Sequence, residues 1–270
     1  MKVLLFCPTY RKPDGNLALH EKTRQSIDAL QHGGHEVTEW VSVDDTPNKH
    51  DNVIAQYRKA WKRAKASGYD AILTVEHDMI VPPDALVKLA EVEADIVYGV
   101  YLFRESATLN AMRRVATPCV DQPLSIFPDE MRRAMEAKIY PVSGCGFGCT
   151  LIRRSAFETL TLRKPEGGHY PDMPLANDAL KAGLTQMARF DVICGHIRTD
   201  GEVLWPTFDR DALILSPCTV MPRQKFYGNV NGQSVRFIPG EKKVIPLGAA
   251  REFARASLLE IVSLGEDVIE

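Results

Sequence analysis

The sequence predicts an α/β fold: a mostly parallel central sheet with flanking helices, followed by a small C-terminal β-hairpin-plus-helix appendage. Three observations carry this expectation. Short apolar runs alternate with stretches of helical periodicity through the first hundred residues, and strand–helix–strand alternation implies right-handed crossovers and parallel strands. Polar clusters fall at the carboxyl ends of those apolar runs, where open sheets of this kind bind ligands. The 270 residues, 45% hydrophobic and 25% charged, suit a domain with a substantial core and exclude a disordered chain.

Lys2 to Cys7 is an apolar run closed by Pro8, the pattern of a strand buried on both faces. Asn16 to Gln31 carries Leu17, Ile27 and Leu30 at roughly helical spacing and stops at Gly33-Gly34. His35 to Val43 reads as the second strand and ends at Asp44-Asp45. A helix follows from about Asp51 to Ser67, with Ile54, Tyr57, Ala60, Trp61 and Ala64 on one face. Ala71 to Val75 is the third strand. Pro82-Pro83 then opens a helix to about Glu91, proline being tolerated in a first turn, and Asp95 to Tyr101 is the fourth strand.

Beyond it, Pro128 to Lys138 reads as a helix and Tyr140 to Arg153 as a glycine-punctuated stretch running into a strand. Ser155 to Leu160 and Asn177 to Ala182 read as short helices, the second ended by Gly183, and Gln186 to Cys194 as a strand. After about residue 220 the character changes. Asn229 to Gly232 and Pro239-Gly240 are turn signals, and a last helix is expected over about Ala249 to Val262. Residues 1–220 thus read as one α/β domain and 221–270 as the appendage.

A formal net charge of -2 gives no bulk attraction to nucleic acid or acidic membranes. The six cysteines contain no CxxC pair and read as buried, reduced thiols. The N-terminal apolar run is too short for a signal-peptide core, and no stretch approaches the ~18 apolar residues of a membrane span. A soluble, cytoplasmic protein is expected.

The segment ILTVEHDMIVPPDAL (Ile72 to Leu86) resembles the metal-binding signature of glycosyltransferases with the GT-A fold, particularly family 2: an apolar strand, two acids one residue apart, a proline-rich turn and a helix. Three further segments resemble that group in the same order. DNVIAQYRKAWKRA resembles its asparagine-headed helix, VSGCGFGCTLIRRSAFE the glycine-rich stretch of the acceptor side, and PDMPLANDALKAGL the segment bearing a catalytic carboxylate. The likeness covers roughly residues 1–205 and implies a nucleotide-diphospho-sugar transferase fold for the first domain.

The resemblance implies a division of roles. A hard divalent cation, Mn²⁺ or Mg²⁺, bridges the donor's two phosphates and takes oxygen ligands from carboxylates. Asp78 is then the direct ligand, and His196, at the end of RFDVICGHI, the histidine ligand. Glu76 stands where aspartate is usual and would contact donor ribose or a metal-bound water. Asp172, eleven residues before Gly183, occupies the position of the base in inverting members, although Pro171 replaces the usual glutamate before it. Asp178, in the following helix, is the alternative base. Thr9 and Tyr10 resemble the first donor loop, with Tyr10 able to stack on a base. Asp44 and Asp45 would hold nucleobase or ribose, or form a plain Asp-Asp-Thr-Pro turn. Asn52 heads the second helix as a donor contact.

Other residues have readings of their own. Gly144, Gly146 and Gly148 lack dinucleotide-fingerprint spacing and would let backbone approach a bound sugar or acceptor. Arg11, Arg104 and Arg198 are diphosphate partners or surface charges, and His77 a spacer. The expected activity is hexosyl or pentosyl transfer from a UDP- or GDP-sugar to an acceptor hydroxyl. Two alternatives stay open: a nucleotidyltransferase, whose glycine- and lysine-rich phosphate loop PTYRKPDGN lacks, and a non-catalytic carbohydrate- or partner-binding protein on a degenerate domain. The C-terminal unit resembles small modules of phage proteins. That likeness implies a hydroxymethylated base in phage DNA as one acceptor, read by Lys225, Arg236, Lys242 and Lys243; the alternative is a solvated hairpin packed on the first domain.

Overall fold

The computed structural model describes residues 1–43, 49–104, 109–113, 128–164, 171–206, 217–230, 233–246, 249–250, 253–254 and 256–264. An eight-stranded sheet organises them. β1 (Lys2–Thr9) lies between β2 (Glu36–Val43) and β3 (Ala71–Val75), both parallel to it. β8 (Cys149–Arg153) runs antiparallel between β3 and β5 (Ile96–Val100), and β9 (Gln186–Ile193) is parallel to β5. β7 (Ile139–Gly144) and β6 (Met112–Arg113) complete the far edge. Only β7 and β8 oppose the common direction, so the sheet is mostly parallel, as the alternation pattern predicts.

The insertion of β8 is the main departure from a simple parallel progression. Cys149, Thr150, Leu151 and Ile152 are all buried, and such a strand is best satisfied with neighbours on both edges and cover on both faces. Strand alternation divides the core. Leu4 and Phe6 of β1 join Tyr57, Trp61, Ile72 and Tyr98 on one side, while Val3, Leu5 and Cys7 join Leu73, Leu86 and Val97 on the other.

The helices follow the sequence with two shifts. α1 (Glu21–Asp28) is shorter than expected, because the His20 imidazole accepts the Lys22 N–H and starts the helix there. α2 (Lys49–Ala66) buries Ile54, Tyr57, Ala60, Trp61 and Ala64 as the periodicity requires, and α3 (Ala85–Ala90) follows the proline pair. α4 (Pro128–Ala137) and α5 (Arg154–Thr159) fall where expected. α6 (Asp172–Lys181) begins five residues before the expected Asn177, so Asp172 is its first residue and not a loop residue. Pro171 and Pro174 do not prevent this, since first-turn N–H groups have no intrahelical acceptor.

Arg153 locks α3 to the sheet. Its Nε donates to Ala94 O at 2.9 Å and its Nη2 to Ala90 O and Val92 O at 2.9 and 2.8 Å, satisfying carbonyls at and beyond the helix end. Arg153→Ala is expected to cost about 2 kcal/mol in urea unfolding, since hydrogen bonds to charged groups are worth about 1.5–3 kcal/mol.

A three-stranded sheet caps the carboxyl end of β3: β4 (Met79–Ile80), β10 (Gly195–Ile197) and β11 (Val203–Leu204), with β10 central. In the C-terminal unit, β12 (Pro217–Pro222) lies between β15 (Lys243–Pro246) and β16 (Leu259–Leu264), and β13 (Phe226–Val230) pairs with β14 (Gln233–Phe237) as the expected hairpin. The helix expected to run to Val262 does not, because Leu259–Leu264 pairs with β12 instead. Phe226, Phe237 and Phe253 pack together and join Leu102 and Leu204 in one buried cluster. Among the described residues, no helix is long and apolar enough to cross a membrane.

Candidate active site

The site is built by two chain segments that meet through backbone pairing. After β3, a turn closed by Met79 N–H to Glu76 O (3.0 Å) carries Glu76, His77 and Asp78 past the sheet edge. β4 then pairs with β10, placing His196 opposite Met79, and the Ile197 N–H donates to Asp78 O at 2.8 Å. This register sets the Asp78 and His196 side chains together, with His196 Nε2 3.5 Å from Asp78 Oδ2. Both residues are only 7% exposed.

The other ring nitrogen of His196 fixes what Nε2 can do. Nδ1 is 2.7 Å from Leu102 O, and a carbonyl only accepts, so Nδ1 carries the proton. In a neutral ring, Nε2 then presents a lone pair toward a carboxylate oxygen. Asp78 Oδ2 is buried and has no partner in hydrogen-bond geometry. Arg104 Nη1 approaches it to 3.1 Å as a counter-charge. Burial pushes the Asp78 carboxyl up, but a hydrogen bond from His196 in its protonated form, with the charges of His77 and Arg104, outweighs it and holds it down to about 2.

Two facing acceptors at 3.5 Å suit a shared cation, because hard divalent ions take ligands at about 2.1 Å. Among the described residues, no group of three or more His, Cys, Asp or Glu side chains could hold a metal. Mg²⁺ is usually held by one or two carboxylates plus substrate phosphates, so Asp78 suits the implied ion directly and His196 would add a nitrogen ligand.

Two more carboxylates lie close by. Glu76 accepts from Tyr57 Oη at 3.2 Å, and its N–H donates to Gly148 O at 3.1 Å. Burial first, then the negative charges of Asp78 and Asp172, raises the Glu76 carboxyl to about 7. Asp172 Oδ1 accepts the Met173 N–H at 2.9 Å, while burial pushes its carboxyl up. Its Oδ2 faces Gly146, 3.3 Å from where a Cβ on that glycine would stand. A Cβ on Gly148 would lie 2.7 Å from the Tyr101 ring and 3.1 Å from Met79 Sδ. At these two glycines it is the protein's own side chains that approach the backbone closely.

The other candidates divide. Thr9, at the end of β1, is buried with its Oγ1 unpartnered. Tyr10 sets its ring against His77 at 5.4 Å and 80°, so His77 is a packing partner of the first loop and more than a spacer. Its main chain also anchors the chain before α1, His77 O accepting the His20 N–H at 2.9 Å. Asp44 and Asp45 lie outside the described residues; Asn52 lies in α2, and its side chain is also outside them.

Asp178, the alternative base, is held by Arg163 through two hydrogen bonds of 2.7 and 2.9 Å. Arg198 pairs with Asp200 and Glu202, and Arg11 reaches Gly15 O at 3.4 Å. Lys225, Arg236 and Lys242 are exposed on the C-terminal unit and Lys243 is half-buried. Sequence reasoning missed Tyr57, Tyr101 and Asn110. Tyr57 lies on the buried face of α2, a stripe that reads as core, and Asn110 sits in a stretch without periodicity.

A scan against protein-family models and a search of curated proteins give no match. Among solved structures, the chain is similar to A197 from STIV, at 18% identity and a TM-score of 0.46 over 77% of this chain and 96% of that one. It is similar to a glycosyltransferase involved in the glycosylation of the major capsid of PBCV-1, at 10% identity and a TM-score of 0.32 over 59% of this chain and 63% of that one. It is also similar to the inositol-1-phosphate CTP transferase of T. maritima, at 13% identity and a TM-score of 0.42 over 80% and 92% of the two chains. At these levels the likenesses carry no argument about chemistry, which rests on the chain's own residues.

Proposed function

We propose that the protein is a glycosyltransferase moving a sugar from a UDP- or GDP-sugar to an acceptor hydroxyl, with Mn²⁺ or Mg²⁺ at Asp78 and His196. The observation that carries this reading is the buried Asp78 Oδ2, ion-paired with Arg104 but with no partner in hydrogen-bond geometry, facing the Nε2 of a histidine whose Nδ1 is already engaged. When bound, the ion would offset charge building on the leaving diphosphate. Asp172 takes the proton of the acceptor hydroxyl at Oδ2, and Oδ1 keeps the carboxyl oriented through the Met173 N–H. A base set for attack opposite the leaving group favours inversion. Glu76 and Thr9 line the donor side at the ends of β3 and β1, and Tyr10 stands beside them.

The test is hydrolysis of a panel of UDP- and GDP-sugars with and without Mn²⁺. Turnover of at least one donor that rises on Mn²⁺ addition is expected. No turnover of any donor, in a protein that binds UDP and GDP no better than its Asp78→Ala variant, would refute the reading. Formation of nucleoside triphosphate on adding inorganic pyrophosphate would replace it with nucleotidyl transfer.

Arg104 supplies a separate expectation. Its guanidinium meets Asp78 Oδ2 in the ligand-free protein and must give way to a cation at the same oxygen. Arg104→Ala should therefore tighten Mn²⁺ binding without nucleotide by roughly fivefold, about 1 kcal/mol, as read by electron paramagnetic resonance titration.

A further inference from the structure

We infer that the outward face of the β13–β14 hairpin is a stacking platform for single-stranded nucleic acid, with Tyr227 under a base and Lys225 and Arg236 on the flanking phosphates. It does not rest on the transferase reading, since it uses none of the residues assigned to the donor or the ion.

Strand alternation makes the face. Phe226, Gly228 and Val230 of β13 and Phe237 of β14 are buried, which turns Tyr227 and Arg236 to the other side. These two stand directly opposite each other in the register, and both are exposed. The inner side is closely seated. The Phe226 and Phe237 rings stack at 4.5 Å and 6°, and a Cβ on Gly228 would lie 2.5 Å from the Phe253 ring. Only glycine lets that ring rest on the hairpin backbone. Tyr227 is 57% exposed, more than any other large hydrophobic side chain among the described residues. A ring displayed on a strand fixed from behind costs little further ordering when a ligand arrives.

Charge is gathered around the ring. Between Arg223 and Lys243 the sequence holds five cations, Arg223, Lys225, Arg236, Lys242 and Lys243, against one acid, Glu241, in a chain of net charge -2. Arg223 is engaged by Glu260 at 3.5 Å. Lys225, two residues before Tyr227, and Arg236 have no ion pair among the described residues. Arg63 lies over the Trp40 ring at 4.8 Å, but Arg236 makes no such contact with Tyr227.

The chemistry of these groups selects the ligand. Lysine and arginine only donate, which matches phosphate oxygens and gives the hydroxyl donors of a saccharide little to meet. An acidic lipid surface would engage the cations without using a fixed, open ring. A duplex keeps its base faces stacked inside. Single-stranded nucleic acid brings an anionic group and a flat apolar face with every nucleotide.

The test is fluorescence anisotropy of the whole protein with a labelled oligothymidylate about ten nucleotides long. Binding should weaken about sevenfold between about 50 and 200 mM salt, the log–log slope of about -1.4 that two phosphate contacts give on a single strand. Arg236→Gln should flatten that slope to about -0.7. Tyr227→Ala should bind about tenfold more weakly at an unchanged slope, while Tyr227→Phe, which keeps the ring, should stay within about twofold of the wild type. An abasic strand of the same length should bind the wild type as weakly as oligothymidylate binds Tyr227→Ala, and lose nothing further on that variant. Because these side chains are exposed, each variant should keep its Tm to within about 2 °C. No saturable binding, equal affinity for abasic and base-bearing strands, or equal losses in Tyr227→Phe and Tyr227→Ala would each overturn the platform. Displacement of the strand by thymidine monophosphate at equal nucleotide concentration would overturn it too. Capture by phosphatidylglycerol vesicles of a protein that ignores the oligonucleotide would replace it with an acidic lipid surface.

Discussion

Asp78→Ala is expected to lower Mn²⁺-dependent donor turnover by about 10³-fold, on the order of 4 kcal/mol of transition-state stabilisation. The variant leaves His196 alone at the site, and a single imidazole is a poor holder of a hard cation that prefers oxygen. The check independent of activity is thermal. Saturating Mn²⁺ should raise the Tm of the wild type, because a ligand that binds only the folded state stabilises it by mass action, and should leave the variant unmoved. A metal-induced shift of equal size in both proteins would place the ion elsewhere.

Asp172→Asn should reduce transfer by about 10²–10⁴-fold, the span of general-base catalysis, while binding of Mn²⁺ and UDP or GDP persists. The raised Asp172 carboxyl adds a pH signature. Wild-type transfer should fall as pH drops through its raised value, and that acid limb should vanish from the residual rate of the variant. Stability runs the other way. A carboxyl whose folded pKa lies above its ordinary 3.8 favours the folded state most below 3.8 and loses that contribution as pH rises through the folded value. At neutral pH the wild type therefore carries a buried charge that asparagine lacks. The variant should be more stable in urea at pH 7 than the wild type, with the difference closing toward pH 3. A variant less stable at both pH values would mean that Asp172 serves the fold of α6 and not the reaction.

Legibility of the sequence followed local pattern. β3 was readable to the residue, since Ala71 to Val75 is an apolar run broken only by Thr74, with polar residues beyond it. The face of α2 was readable for the same reason. β8 lay in a recognised strand, but its seat between β3 and β5 is a long-range pairing that no local signal encodes. Asp78 and His196 were linked in the sequence only by the family resemblance; their 3.5 Å approach depends on the pairing of β4 with β10. At the C-terminus, LEIVSL carries β-branched residues that a partner strand uses, and without seeing β12 the segment reads equally as a continuing helix.

The pairing of β4 with β10 also dictates when the site can exist during biosynthesis. Asp78 emerges early, on a strand that already has β1 to pair with, whereas its imidazole partner waits for Gly195–Ile197. A nascent chain that stops short of this strand has a sheet edge and a lone acid but no cation pair. Closing so long a loop is among the slower events of folding. Cation capture should therefore mark a finished fold, and fragments ending before Gly195 should take up no Mn²⁺ however much secondary structure they hold.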